Sequence, residues 1–185
     1  MMGCKVMATP MASNLKLLSD ASSESVDATM YRQMIGSLMY LMNTRPNICF
    51  AVNTLSQYLK DPRSVHLTAA KHILRYLKGT IDYGLKYDAN QKINLVGYVD
   101  LDWAGTAIDR KSTSGCCFSM GSGVISSFSR KQSCVALSTA EAEYVATSSS
   151  SCEAEWLWKL LSDIFDLQLD VTCIHCDNQS CVKLS

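Results

Sequence analysis

The apolar residues of this chain change their period near residue 80, and that change limits the fold more than any other feature. Before it, they recur at helical spacing. Met30, Met34, Leu38 and Leu41 form one stripe. Ile48, Val52, Leu55 and Leu59 form a second, with Thr44 and Pro46 as a start signal and Pro62 as a stop. Ser64 is placed to cap a third helix with Leu67, Ala70, Ile73, Leu74 and Leu77 on its buried side, and Gly79 ends it. After the change, residues 83–87, 93–100, 115–120 and 124–129 read as strands, the last two joined by the hairpin signal Gly121-Ser122-Gly123. Ser138-Thr139-Ala140-Glu141 is a capping-box pattern that opens a helix. A second helical stretch, residues 152–164, follows the serine run at 148–151, and residues 171–176 give a last short strand ending at Asp177. The order from residue 93 is β-β-β-α-α-β, an α/β domain behind a small all-helical segment. The expected division is a flexible lead-in over 1–27, helices over 28–80 and the α/β domain over 81–185.

Composition narrows the class. With 185 residues, 48% apolar and 18% charged, the chain is able to bury a core and is not of the disordered type. It contains no uninterrupted apolar run of the roughly 18 residues that a membrane span needs. No export signal is read at the start, which leaves an intracellular location, cytoplasmic or nuclear. The net charge of zero hides an asymmetry: residues 1–90 hold 10 Lys/Arg and 6 Asp/Glu, residues 91–185 hold 7 and 11. A basic half joined to an acidic half suits a nucleic-acid binder with a carboxylate site. On the third helix, Lys71, Arg75 and Lys78 make a basic stripe fit for phosphates, or simply a solvated face. Nine cysteines without regular spacing favour a reducing compartment. Cys173 and Cys176 form one CxxC, but a strand would point them to opposite faces, which argues against zinc on that pair.

Connectivity predicts which residues meet. Let the second strand run antiparallel to the first, and the last strand parallel to it through a crossover. The end of the first strand, the start of the second, the end of the third, the start of the helix and the end of the last strand then share one edge. That edge collects Asp100 and Asp102, Glu143 and Asp177. It also collects Arg110, Lys111, Arg130 and Lys131. Open α/β sheets place their sites at such an edge. Hard divalent cations prefer oxygen donors, and Mg²⁺ takes one or two carboxylates together with water and phosphate. Clustered carboxylates repel one another without metal, so at least one should hold its proton more tightly than usual. Metal-assisted phosphodiester cleavage is the chemistry that such a set suits.

The chain resembles the C-terminal part of the polymerase polyprotein of copia-type LTR retrotransposons. The segments that carry the resemblance are YRQMIGSLMYLMNTRPNICFAV (31–52), HLTAAKHILRYLKGT (66–80), GYVDLDWAG (97–105), DRKSTSG (109–115), SRKQSCVALSTAEAEYVA (129–146) and CDNQSCVKLS (176–185). They span nearly everything beyond residue 28. The resemblance implies a reverse-transcriptase thumb-like helical segment over 28–80 and an RNase H-like domain over 81–185. It assigns Asp100, Glu143 and Asp177 as catalytic and metal-binding acids, with Mg²⁺, or Mn²⁺ in its place, as cofactor and an RNA–DNA hybrid or other nucleic acid as partner. No membrane partner is expected and no protein partner is named. Asp102 neighbours Asp100 and stays open as an alternative ligand. Glu141 is better explained as the capping-box acid.

Three departures qualify the resemblance. Asn47 stands where the family usually has Asp. The polymerase fingers and palm are absent, so no DNA synthesis is expected. The family also continues past the third acid with a helix, a fifth strand and a final helix bearing a fourth carboxylate. The expectation is therefore a truncated RNase H-like mixed sheet. Its function is either Mg²⁺-dependent hydrolysis of the RNA strand of hybrids, inactive if truncation has removed too much, or non-catalytic binding of nucleic acid. The basic residues Lys71, Arg75, Lys78, Arg110, Lys111, Arg130 and Lys131 are the expected nucleic-acid contacts in either case.

Overall fold

The computed structural model describes residues 3–12, 23–105, 109–166 and 170–183. The chain divides into two compact units, residues 1–84 and 85–185.

The first unit is built of helices α1 (Ala28–Leu41), α2 (Cys49–Ser56) and α3 (Ser64–Gly79), with a single 3-10 turn, Pro46–Ile48, leading into α2. Asp27 starts α1, its carboxylate accepting from the amides of Thr29 at 2.8 Å and Met30 at 3.4 Å. The fully buried stripe of α1 is Tyr31, Ile35 and Leu38; of the expected series Leu38 is buried, Met34 and Leu41 pack half-buried against the core, and Met30 is 43% exposed. Both series have helical spacing. Burying a methionine costs more rotamer freedom than burying a stiff ring or a branched chain. The stripe of α3 is shifted in the same way, to His66, Ala69, Ala70, Ile73 and Tyr76. Ser64 is its first residue and not its cap. The ring Nδ1 of His66 does the capping, accepting from the Arg63 amide at 2.9 Å. Asn47 donates through Nδ2 to the hydroxyl of Tyr76.

Of the lead-in, residues 4–9 lie along α3. Arg75 Nε donates to the Lys5 carbonyl at 2.6 Å, and Lys78 Nζ to the Cys4 carbonyl at 3.0 Å. Met7 and Met11 pack against the helical core. Residues 13–22 of the lead-in lie outside the described residues.

The second unit holds a four-stranded sheet in the order β3-β2-β1-β4. Its strands are β1 (Leu95–Asp102), β2 (Thr113–Met120), β3 (Gly123–Lys131) and β4 (Cys173–His175). β2 is antiparallel to β1 and β3 to β2, while β4 is parallel to β1. This is the pairing that the connectivity predicts. Alternation along β1 puts Leu95 and Val99 into a core with Cys116, Phe118, Ala146, Ala154 and Leu157. The chain is thus mixed α/β, compatible with an RNase H-like sheet.

Three elements differ from expectation. Residues 83–87 form no strand. Tyr87 instead lies over the hairpin, its hydroxyl donating to the Val124 carbonyl at 2.6 Å and its ring occupying the space where Gly123 lacks a side chain. Gly121 makes the turn itself, with φ of 60° at the first of two loop positions, as a type II′ turn requires. The serine run does not divide the helix: α4 is continuous over Thr139–Phe165, 27 residues. The hydroxyls of Ser149, Ser150 and Ser151 bond back to the carbonyls of Val145, Ala146 and Thr147, so they do not compete with the helical ladder. Last, a one-turn helix α5 (Gln179–Val182) follows β4. Asn178 caps it, accepting from the amides of Ser180 at 3.0 Å and Cys181 at 3.1 Å.

Candidate metal centre

The edge that carries the site is set by the pairing register. Asp100 lies opposite Gly115 near the end of β1, and Arg130 lies opposite Ser114 near the end of β3. Gln132 ties the first turn of α4 to this edge. Its side chain is buried, and Nε2 donates to Ser114 Oγ and to the Ala142 carbonyl, both at 2.9 Å. Its own amide donates to the Ser112 carbonyl at 2.8 Å. Ala142 is held against β2 in this way, and Glu143 follows as the next residue. Sequence reasoning missed Gln132. Its one signal was a polar residue immediately after a strand end, which is too common to stand out.

Glu143 is only 6% exposed. Among the described residues, its carboxylate accepts a hydrogen bond from the Cys176 thiol, at 3.8 Å. Burial, then the negative charge of Asp177, and more weakly that of Asp100, hold its carboxyl above the usual carboxylate range. The thiol opposes this only in part. Ligating atoms of Glu143, Cys176 and Asp177 all lie within 4.8 Å of one another. Asp100 is outside that group, and its Oδ1 accepts from the Leu101 amide at 2.8 Å.

The two remaining acids are placed differently. Asp102 folds back over its own turn, where a β-carbon on Gly105 would collide with the carboxylate. It does not figure among the charges acting on Glu143. Glu141 is exposed and caps α4, its Oε2 accepting from the Leu137 amide at 2.7 Å while Ser138 Oγ accepts from the Glu141 amide at 3.1 Å. The capping assignment from sequence is what the structure contains, with Leu137 in place of Ser138 as the donor to the acid. Cys176 is the group that sequence reasoning passed over. It was considered only as half of the CxxC.

Of the four basic residues expected at this edge, Arg110 and Arg130 are exposed and Lys111 and Lys131 are half-buried. Arg110 has φ of 54°, and the Arg130 guanidinium stands 5.0 Å from the centroid of the Phe128 ring. Lys131 is paired with Asp109 at 2.8 Å, which pulls the Asp109 carboxyl below its usual range. Lys111 Nζ donates to the Ser133 carbonyl at 2.6 Å. The α3 stripe belongs to the other unit. Lys71 is exposed there, whereas Arg75 and Lys78 are engaged by the lead-in carbonyls.

The donor chemistry suits a divalent cation: two carboxylates meet, a third adds its field, and no cation among the described residues neutralises Glu143. None of the nine cysteines is in a disulfide. No helix among the described residues is long and apolar enough to cross a membrane.

Comparison with known proteins decides the lineage. The chain is 40% identical over 178 residues, 96% of its length, to the retrovirus-related Pol polyprotein from transposon RE2 of Arabidopsis thaliana. It is also 40% identical over 192 aligned residues, covering 100% of its length, to the Pol polyprotein from transposon TNT 1-94 of Nicotiana tabacum. The chain belongs to the Pol polyprotein family of copia-type retrotransposons. It spans 12% and 14% of the length of those two relatives. A shorter relative, the secreted RxLR effector protein 161 of Plasmopara viticola, is 47% identical over 128 residues, 69% of this chain and 90% of that protein. No protein-family model and no solved structure matches the chain. In this Pol-family chain the segments that carry Asp100, Glu143 and Asp177, namely β1, the start of α4 and the stretch just after β4, fall within the aligned 96% or more.

Proposed function

We propose that residues 85–185 are an RNase H-like domain that hydrolyses the RNA strand of RNA–DNA hybrids, with Asp100, Glu143 and Asp177 as the acids that hold Mg²⁺ or Mn²⁺. The observation that carries this reading is Glu143: an acid 6% exposed, with no cation beside it among the described residues and two further acids raising its proton affinity. Such a group costs stability until a cation arrives. Carboxylate oxygens are the donors that Mg²⁺ selects, and the ion would supply activation of water and neutralisation of the phosphate during hydrolysis. The chain's own residues hold and orient. Gln132 fixes the first turn of α4, and the parallel pairing of β4 with β1 brings Asp177 to the same end as Asp100. Exposed Arg110 and Arg130 offer phosphate contacts near that end.

The test is cleavage of a labelled RNA–DNA hybrid with Mg²⁺ or Mn²⁺. The purified chain is expected to cut only the RNA strand, and Asp100→Asn to lose at least about a hundredfold in rate. Cleavage that persists in folded Asp100→Asn overturns the assignment of that acid. A folded chain that binds the hybrid in a salt-sensitive way but never cuts it is a nucleic-acid-binding domain and not a nuclease.

A further inference from the structure

The CxxC of the sequence does not close on itself. Cys173 sits in β4 opposite Val96, while Cys176 lies beyond the strand with its thiol on Glu143. We propose that Glu143, Cys176 and Asp177 form a site for a thiophilic divalent cation of the zinc type, separate in its donor set from any Mg²⁺ site. It shares two acids with the nuclease reading and stands without it.

Three observations carry the proposal. The first is distance. The three ligating atoms lie within 4.8 Å of one another, and the Glu143–Cys176 pair is at 3.8 Å. Zinc binds thiolate sulfur at about 2.3 Å and carboxylate oxygen at about 2.0–2.2 Å. In a tetrahedron those bonds put neighbouring donors about 3.5 Å apart, so only small side-chain movements separate the observed arrangement from a closed site. The second is burial. Glu143 is 6% exposed, and its carboxylate accepts from the Cys176 thiol, the side-chain partner found for it among the described residues. A buried carboxylate aimed at a thiol and lacking a cation is half of a coordination shell. The third is donor chemistry. One sulfur and two oxygens is a poor set for Mg²⁺, which demands six oxygens, but suits zinc, cobalt and cadmium. Asp177 is exposed, so the cation has an entry path and the fourth position is open to water. Binding displaces the thiol proton to solvent, and the thiolate becomes the ligand.

A consequence follows for the acids. Zinc seated on Glu143 and Asp177 withdraws both from Mg²⁺, so zinc is expected to block hybrid cleavage at saturating Mg²⁺.

The experiment is titration of the metal-free full chain with Co²⁺, followed by absorption spectroscopy. One equivalent is expected to give a thiolate-to-cobalt charge-transfer band, which zinc bleaches stoichiometrically and excess Mg²⁺ does not. Cys176→Ser should lose the band and bind zinc at least about tenfold more weakly. Cys134→Ser, a change at an exposed thiol outside the cluster, should keep both. If Cys176→Ser fails to fold, alkylation of the wild-type chain serves instead. Zinc should then slow modification of Cys176 and leave that of Cys134 unchanged. No band in the wild-type chain overturns the proposal, as does a band undiminished in folded Cys176→Ser, or alkylation of Cys176 indifferent to zinc. An intact cobalt band without hybrid cleavage sinks only the nuclease reading. Cleavage with Mg²⁺ and no cobalt band sinks only this one.

Discussion

In residues 1–84, Tyr31 is fully buried and its hydroxyl donates to the Leu55 carbonyl at 3.0 Å, while burial pushes its proton affinity far up. His66 is equally buried, stacks on Tyr58 and accepts the Arg63 amide. In residues 85–185, Glu143 is buried against a thiol and two like charges. The first arrangement keeps its buried polar groups neutral or paired and so stabilises the helices. The second leaves a charge unmatched, which is unfavourable for folding and favourable for capturing a cation. The basic residues divide in the same way. Arg75 and Lys78 of α3 are engaged by lead-in carbonyls, whereas Arg110 and Arg130 are exposed beside the sheet edge. The contrast shows where to look for chemistry: at a buried carboxylate that no cation among the described residues balances.

Three measurements test that contrast. The largest stability effect is expected from Ile73→Ala, which empties a fully buried position in the helical core. It should cost about 2–5 kcal/mol, read by peptide-resolved hydrogen exchange as faster exchange confined to residues 1–84. Equal acceleration in residues 85–185 would break the division into two units. Gln132→Ala removes two donated hydrogen bonds, one to Ser114 Oγ and one to the Ala142 carbonyl in the first turn of α4. Urea unfolding of the second unit should show a loss of about 1–3 kcal/mol, and metal affinity should fall with it because Glu143 is less well positioned. Unchanged metal affinity would deny Gln132 its positioning role.

The smallest effect is expected from Glu143→Gln, and its sign is the informative part. The folded state raises the affinity of Glu143 for its proton, so it holds that proton to higher pH than the unfolded chain does. Without metal, stability should therefore fall as pH rises from the unfolded carboxylate range, about 4.3, through the folded value. Glu143→Gln has no such proton to lose. Its thermal midpoint should vary less with pH across that window and exceed the wild-type midpoint at neutral pH. Added divalent cation should then raise the midpoint of wild type only. A variant less stable than wild type at neutral pH without metal would mean that Glu143 is a satisfied structural acid.

Much of the second unit was legible from local pattern. The strands, the Gly121 turn, the cap at Ser138 and the parallel return of the last strand each have a local or topological cause, and together they bring Glu143 and Asp177 to one edge with Asp100 near. The misreadings share a different cause. Residues 83–87 alternate like a strand, yet Tyr87 finds its partner on the hairpin. The serine run looks like a break, yet its hydroxyls are satisfied along the helix. Met30 and Tyr31 are equally periodic, and packing chose between them.

The amino-acid order alone determined the periods, the turns and the caps, because those depend on neighbours within a few residues. It also determined the family, through segments spread over nearly the whole chain. Only the tertiary structure decided that Cys176 faces Glu143, that Asp177 and more weakly Asp100 act on that carboxylate, and that Arg75 and Lys78 are occupied. Each of those outcomes turns on distances of a few ångströms between residues far apart in sequence, and charge and coordination vary steeply over that range.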